Sequence, residues 1–185
     1  MQVITRPLSR IFYSVYYTVM TELARFGFTI LTRRRVEGRE CVPPHGPLIV
    51  VSNRMSFIDP SLVATAVPRR VYFTAKSELY RSRLLGFIVG WYGSVRVNRG
   101  VAQRETLETM LRVLDRDGVI CMFPEGTRSP GRLGRARPGV ALLASRSCAP
   151  ILPVAIRGSE RVGSARSLFT RPEIVVSIGQ PFPLP

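Results

Sequence analysis

The chain has 185 residues, of which 45% are hydrophobic and 21% charged, and this balance excludes a disordered protein and fits one domain with a sizeable core. Its 27 Lys and Arg residues against 12 Asp and Glu residues give a formal net charge of +15. We therefore expect an anionic partner, and nucleic acid, an anionic bilayer, a phosphorylated lipid and an acidic carrier protein are the candidates.

The three cysteines show no metal-ligand spacing, and a single histidine, His45, accompanies them. We therefore predict reduced cytosolic thiols and no metal cofactor. No cleavable signal peptide is evident, because charged residues interrupt the N-terminal apolar stretch. The longest uncharged run there, Ile11 to Thr21, is too short to span a bilayer.

Polar residues recur every three or four positions from 8 to 33, which predicts a helix with one narrow polar stripe. The remaining surface is apolar and aromatic, so such a helix can lie in a membrane interface. The alternative is a helix buried against the rest of the domain or in a dimer. The basic cluster TRRR at 32–35 favours the membrane. We predict a membrane-associating amphipathic segment at 1–35.

From residue 36 onward, short β-branched or aromatic runs alternate with helical periodicity. The clearest helix is RETLETMLRVLDRDG, in which Leu107, Met110, Leu111 and Leu114 share one face. This alternation predicts an α/β domain at 36–185 with a mostly parallel sheet flanked by helices. The predicted strands are PLIVVSN, RVYFTAK, GSVRVNR, GVICMFP, APILPVAIRG and EIVVSIG.

Two polar loops follow predicted strands, where ligands bind in such sheets. The first runs from Asn53 to Asp59 in VVSNRMSFIDP. The second is FPEGTRS at 123–129, where Gly126 lets backbone approach a ligand and Arg128 offers paired donors to an oxyanion. A strand-ending turn with a Glu125–Arg128 ion pair explains FPEGTRS equally well. The arginines of GSVRVNR, taken alone, are typical of a solvated face.

In order and spacing, these segments resemble the 1-acylglycerol-3-phosphate acyltransferases of the glycerophospholipid acyltransferase family. The family's first block is Asn-His-x-Ser-x-x-Asp, and here Arg54 stands at the histidine position. FPEGTRS is identical to the third block. FTAKSEL with Lys76, GSVRVNR with Arg99 and APILPVAI resemble the other blocks. The resemblance covers roughly residues 36–182.

The resemblance implies acyl transfer from acyl-CoA or acyl-carrier protein to the hydroxyl of a lysophospholipid such as lysophosphatidic acid. In the family the histidine removes the hydroxyl proton and the aspartate, here Asp59, orients and charges it. We expect a peripheral or monotopic protein at the cytoplasmic face of an anionic membrane. The residues that the resemblance assigns to substrate binding are Asn53, Ser56, Lys76, Arg99, Glu125, Gly126, Thr127 and Arg128.

Arg54 is no substitute for histidine, because a guanidinium with a pKa above ~12 does not accept a proton near neutral pH. We expect it to pair with Asp59 and lower the basicity of that carboxylate. His45 is excluded as a base, since the intervening strand puts it roughly 15 Å away. Loss of a general base typically removes a factor of about 10² to 10⁴ in rate, so we predict impaired acyl transfer.

Three explanations for Arg54 stay open at this point. The chain is a non-catalytic relative that binds lipid phosphate, it carries an inactivating substitution, or it uses another base such as Asp59 or the substrate phosphate. A basic nucleic-acid binder is disfavoured, because the aromatic residues concentrate in the N-terminal helix and no zinc or helix-turn-helix pattern is present.

Overall fold

The computed structural model of the protein describes residues 7–76, 95–97, 103–126, 134, 136–162 and 170–184. Strands and helices alternate along the chain, as the sequence predicts. The elements are α1 (Pro7–Leu31), β1 (Arg33–Glu37), β2 (Leu48–Ser52), α2 (Asp59–Ala66), β3 (Val71–Lys76), β4 (Val95–Val97), α3 (Gln103–Leu114), β5 (Val119–Met122), α4 (Gly139–Ser147), β6 (Ile151–Arg157) and β7 (Glu173–Ile178).

The described strands form one seven-stranded sheet in the order β1-β7-β6-β2-β5-β3-β4. Every neighbouring pair is parallel except β6 with β7, so the prediction of a mostly parallel sheet is confirmed. Because β2, β5 and β6 run in one direction, they end at the same edge of the sheet, at Ser52, Met122 and Arg157. We call this edge the site edge.

Both faces of the central strands are buried, as is usual for parallel strands covered by helices. Leu48 and Val50 of β2 pack into one apolar cluster that includes residues of α1 and α2. Ile49, between them, packs into a second cluster with Met110 of α3 and Leu143 of α4. Side chains alternate across a strand, so the single run LIVVS supplies both cores and fixes the register of β2.

Helix α1 has one face packed on the domain and another exposed. Tyr17 is buried, and its hydroxyl accepts a 3.1 Å hydrogen bond from the backbone N–H of Val71 at the start of β3. The opposite face carries an apolar stripe whose members are between 49% and 65% exposed. Within the described residues, no helix combines the length and apolarity that crossing a membrane requires. The exposed stripe consists of Val15, Val19, Leu23, Phe26 and Ile30.

The basic cluster at 32–35 is structured in a way that the sequence did not predict. Helix α1 ends at Leu31, and Arg33–Glu37 form β1, which pairs in parallel with β7 at the edge of the sheet. The boundary predicted between residues 35 and 36 therefore falls inside a strand. Arg33 and Arg35 are exposed, whereas Arg34 is half-buried and donates a hydrogen bond to Thr65 Oγ1.

Arg69 joins three loops at the edge of the sheet opposite the site edge. Its guanidinium donates to the backbone oxygens of Pro43 at 3.0 Å, Gly46 at 2.6 Å and Asp117 at 2.7 Å. Burial lowers the pKa of Arg69, while the charge of Asp117 raises it. Arg69, one of the residues that make the net charge positive, therefore has a structural role.

We expect Arg69→Met to lower the free energy of unfolding by about 2–4 kcal/mol, because three carbonyl oxygens lose a charged donor. Urea unfolding of both proteins measures the difference. Arg116→Met is the matched control, since Arg116 is exposed and should change stability by less than about 0.5 kcal/mol. Equal effects of the two substitutions would contradict the structural role of Arg69.

Candidate active site

Asn53 ties the loop after β2 to the neighbouring strand β6. Its Nδ2 donates to the backbone oxygen of Ile156 at 2.9 Å, and its Oδ1 accepts from the backbone N–H of Ile156 at 2.7 Å. The side-chain amide thereby takes the place of a peptide group and extends the β2–β6 pairing beyond Ser52. These two bonds fix where the loop begins. The substrate-binding role of Asn53 stays a prediction.

Asp59 closes the same loop from its other end. It is the first residue of α2 and is 0% exposed. Its Oδ2 accepts hydrogen bonds from the backbone N–H groups of Met55 and Ser56, both at 2.6 Å. The spacing of Ser56 and Asp59 in the first sequence block therefore has a structural reason, and the contact from Ser56 comes from its backbone. Pro60 follows, in the first helical turn, where its missing N–H costs nothing.

The environment of Asp59 raises the pKa of its carboxyl group, and burial is the largest cause. Four groups oppose that shift and lower the pKa: the Ser159 hydroxyl, the N–H groups of Ser56 and Met55, and the charge of Arg54. Ser159 Oγ lies near the carboxyl group, yet among the described residues neither this oxygen nor Asp59 Oδ1 completes a hydrogen bond. Oδ1 of Asp59 is therefore buried without a hydrogen-bond partner among the described residues.

Arg54 lies over an aromatic ring of the second loop. Its Cζ is 5.2 Å from the centroid of the Phe123 ring, a cation–π distance. The charges of Arg54 and Asp59 both act on buried Cys121, whose pKa is raised mainly by burial. The loop after β2 and the turn after β5 therefore converge at the site edge. Among the described residues, Asp59 Oδ2 accepts hydrogen bonds from backbone N–H groups and Oδ1 from none, so the expected ion pair with Arg54 is not formed as a hydrogen bond.

The turn after β5 is tight and partly buried. The N–H of Gly126 donates to the Phe123 oxygen at 3.1 Å, and Gly126 has a φ of +66°, which favours glycine. Glu125 is only 7% exposed. The backbone N–H of Arg137 donates to the Pro124 oxygen at 3.0 Å, so the turn is also held from the segment that leads into α4.

The structure brings part of the predicted site together. Asn53, Arg54, Ser56 and Asp59 occupy one loop, and Arg54 meets the turn that contains Glu125 and Gly126. For Lys76 only the backbone is described, as the last residue of β3. Arg99, Thr127 and Arg128 lie outside the described residues. His45 is exposed and precedes β2, whereas Asn53 follows that strand, and the exclusion of His45 as a base stays a prediction.

Arg137 and Ser159 lie near the site but outside the two predicted loops, and the contact of Arg54 with Phe123, the first residue of FPEGTRS, was also not predicted. Ser159 follows the end of β6, so its position after a strand was an available signal. No sequence signal pointed to Arg137, because its contact with the turn after β5 depends on the path of the chain between that turn and Arg137. Among the described residues, no group of three or more His, Cys, Asp or Glu side chains is placed to hold a metal ion.

Comparison with known proteins assigns the family. The family model described as Acyltransferase matches residues 33–157, which is more than half of the chain. The chain belongs to this acyltransferase family. The match begins at the first residue of β1 and ends at the last residue of β6, so it includes both loops of the site.

Individual relatives share the same name. The 1-acyl-sn-glycerol-3-phosphate acyltransferase of Bacillus subtilis is 22% identical over 148 residues, covering 80% of this chain and 72% of that protein. The alpha form from Mus musculus is 30% identical over 145 residues, which is 76% of this chain and 51% of that protein. This acyltransferase chain thus spans about half the length of the mouse relative.

The fold also matches a solved structure. The crystal structure of the 1-acyl-sn-glycerophosphate (LPA) acyltransferase from Thermotoga maritima aligns with a TM-score of 0.74 and 22% sequence identity, covering 97% of this chain and 74% of that chain. At this identity the similarity concerns the fold, and it agrees with the α/β architecture described above.

Substitution of Asp59 by Asn should change stability in a pH-dependent way. Because the folded-state pKa of Asp59 is raised above its ordinary value of 3.8, the folded protein holds this proton more tightly than the unfolded chain. The contribution of Asp59 to stability therefore falls as pH rises from 3.8 through the raised pKa. Asn retains an acceptor oxygen for the Met55 and Ser56 N–H groups but cannot ionise.

We expect the stability of Asp59→Asn, relative to the parent chain, to increase as pH rises above 3.8 and to level off above the raised pKa. Urea unfolding of both proteins at a series of pH values measures this difference. A difference that is constant with pH, or that shrinks as pH rises, would show that Asp59 is not held in an environment that favours its neutral form.

Proposed function

We propose that this acyltransferase moves an acyl group from acyl-CoA or acyl-carrier protein to the hydroxyl of 1-acylglycerol-3-phosphate, in phospholipid synthesis, and that Arg54 impairs the reaction. The observation that carries the proposal is the convergence of the Arg54–Asp59 loop with the Phe123–Gly126 turn at the site edge. The names of the relatives from Bacillus subtilis and mouse support the choice of acceptor.

The reaction requires the acceptor oxygen to attack the thioester carbonyl while its proton leaves. An ester bond forms, the carbon–sulfur bond breaks, and the leaving thiolate takes up a proton. In the family a histidine receives the hydroxyl proton, and Arg54 cannot do so because it is already fully protonated. Asp59 Oδ1 has no hydrogen-bond partner among the described residues, and without an imidazole the carboxylate has no base to orient.

The family resemblance assigns substrate contacts to residues of both loops and to Lys76 and Arg99. The resemblance assigns the phosphate and glycerol of the acceptor to Arg99, Glu125, Gly126 and Arg128, and it adds Lys76 and Thr127 as substrate-binding residues. Gly126 lies in the turn assigned to the glycerol portion, and buried Glu125 supplies an acceptor for a hydroxyl group, since a carboxylate would repel a phosphate. Asn53 and Ser56 support these contacts by fixing the first loop.

A second candidate function is binding of a lipid phosphate without catalysis. It is favoured by one observation: Arg54 adds a fixed positive charge where the family has a histidine, while burial of Asp59 favours its neutral form. Both effects make the site more positive and better suited to hold an anion than to deprotonate a hydroxyl.

Arg54→His separates the two functions. We expect this substitution to raise the rate of acyl transfer from a thioester to lysophosphatidic acid by about 10² to 10⁴, because it restores a general base beside Asp59. Arg54→Gln removes the charge without supplying a base and should leave the rate at the parent level. Asp59→Asn in the Arg54→His background should remove most of the gain.

Each outcome of this comparison assigns the protein to one function. A gain specific to histidine supports the acyltransferase with an intact site. Binding of lysophosphatidic acid by folded proteins, with turnover in neither the parent nor Arg54→His, would support the non-catalytic lipid-binding protein and contradict the proposed reaction.

We also propose that α1 holds the protein at a membrane surface, as a peripheral or monotopic protein at its cytoplasmic face. The support is the continuous apolar stripe from Val15 to Ile30, which faces away from the domain. Exposed Arg33 and Arg35 follow the helix directly and suit anionic headgroups. An interfacial helix of this kind buries its apolar face without crossing the bilayer.

Substitution of Leu23 and Phe26 by Gln together should lower retention on vesicles of phosphatidylglycerol at least about tenfold, because two large apolar side chains no longer enter the acyl boundary. Sedimentation with vesicles measures retention. Leu142→Gln, at an exposed leucine of α4, should leave retention unchanged. Unaltered retention of the double variant would contradict the role of α1, and stronger retention on DNA than on vesicles at equal salt would favour a nucleic-acid partner.

A further inference from the structure

Arg137 belongs to the segment that precedes α4, and this segment is bound to the turn after β5. Its backbone N–H donates to the Pro124 oxygen at 3.0 Å, and the next residue, Pro138, is the N-cap of α4. The position of Arg137 is therefore set by the same turn that contains Glu125 and Gly126. A residue outside the sequence blocks of the site thus lies at its rim.

The Arg137 side chain packs against the alpha carbon of Gly126. A β-carbon placed on Gly126 would lie 3.1 Å from both Cζ and Nε of Arg137 and 3.5 Å from its Nη1. The guanidinium thus occupies the space that a side chain at position 126 would take. Glycine at this position has two effects, because it permits the positive φ and it leaves room for the Arg137 cation.

No described residue accepts a hydrogen bond from the Arg137 side chain. The side chain is exposed, and among the described residues it takes part in no ion pair and no side-chain hydrogen bond. Arg69 is the contrasting case, since its guanidinium is bound to three carbonyl oxygens. Arg137 therefore presents a cation beside the Gly126 turn, and no described residue uses the hydrogen-bonding capacity of its side chain.

We propose that Arg137 binds the phosphomonoester of the acyl acceptor and thereby selects phosphorylated glycerolipids over uncharged ones. The inference rests on the proposed function and adds a specificity-determining residue to it. A guanidinium matches a phosphate through two parallel N–H···O bonds, and it keeps its charge at all relevant pH values. A monoacylglycerol has the same glycerol and acyl groups but offers no anion to this side chain.

The experiment compares binding of two ligands to the full chain, without requiring turnover. Calorimetric titration with lysophosphatidic acid and with a monoacylglycerol of equal chain length, both below their aggregation concentrations, gives the two dissociation constants. We expect Arg137→Gln to weaken binding of lysophosphatidic acid roughly 10- to 100-fold and to leave binding of the monoacylglycerol unchanged. Arg137→Lys keeps the charge but loses the fork, and should give an intermediate effect.

Arg146→Gln is the matched control, because it removes the same charge from an exposed arginine of α4 that lies in a groove with Arg104 and Glu108. It should bind both ligands as the parent does. Urea unfolding verifies that each variant is folded. If Arg137→Gln does not fold, Arg137→Lys is compared with the parent chain for binding of the two ligands.

The possible results decide separately on Arg137 and on the proposed function. Unchanged binding of lysophosphatidic acid by Arg137→Gln, or equal weakening of both ligands, would overturn the role of Arg137 and leave the proposed function standing. A parent chain that binds no lysophosphatidic acid at all would overturn both.

Discussion

The buried carboxylate of Asp59 is the constraint on which the site depends. A buried carboxylate is costly unless it accepts hydrogen bonds, and Asp59 obtains them from the N–H groups of Met55 and Ser56 in its own loop. The loop must therefore wrap around the first residue of α2. At its other end, the Asn53 amide binds the backbone of Ile156 in β6. With both ends fixed, the residue at position 54 is held beside the turn after β5.

Position 54, which these two fixed ends hold in place, is occupied by arginine and not by histidine. Arg54 is tolerated there because its guanidinium finds the face of Phe123, which attracts a cation, and because the residue is only half-buried. Under the proposed function, the backbone arrangement and the carboxylate suit acyl transfer, whereas Arg54 is a side chain that cannot accept the proton. The geometry and the chemistry of this site must therefore be tested separately.

Much of the fold was predictable, since parallel strands buried on both faces give continuous apolar runs such as LIVVS and VICM. Strand β1 was missed because its sequence RRRVE has no such run, and as an edge strand it alternates exposed and half-buried residues. The site loops were found through the sequence blocks. The contacts of Asn53 with Ile156 and of Gly126 with Arg137 were not found, because these residues meet only after the chain has folded.

Chemical rescue by imidazole is the most direct test that the site lacks only a base. Arg54→Gly opens space beside Asp59, and added imidazole should then raise the rate of acyl transfer to lysophosphatidic acid in a saturable manner. The account predicts that this rise disappears in Arg54→Gly combined with Asp59→Asn and does not occur in the parent chain. A folded Arg54→Gly protein that shows no rise, or an equal rise when Asp59 is replaced, would contradict it.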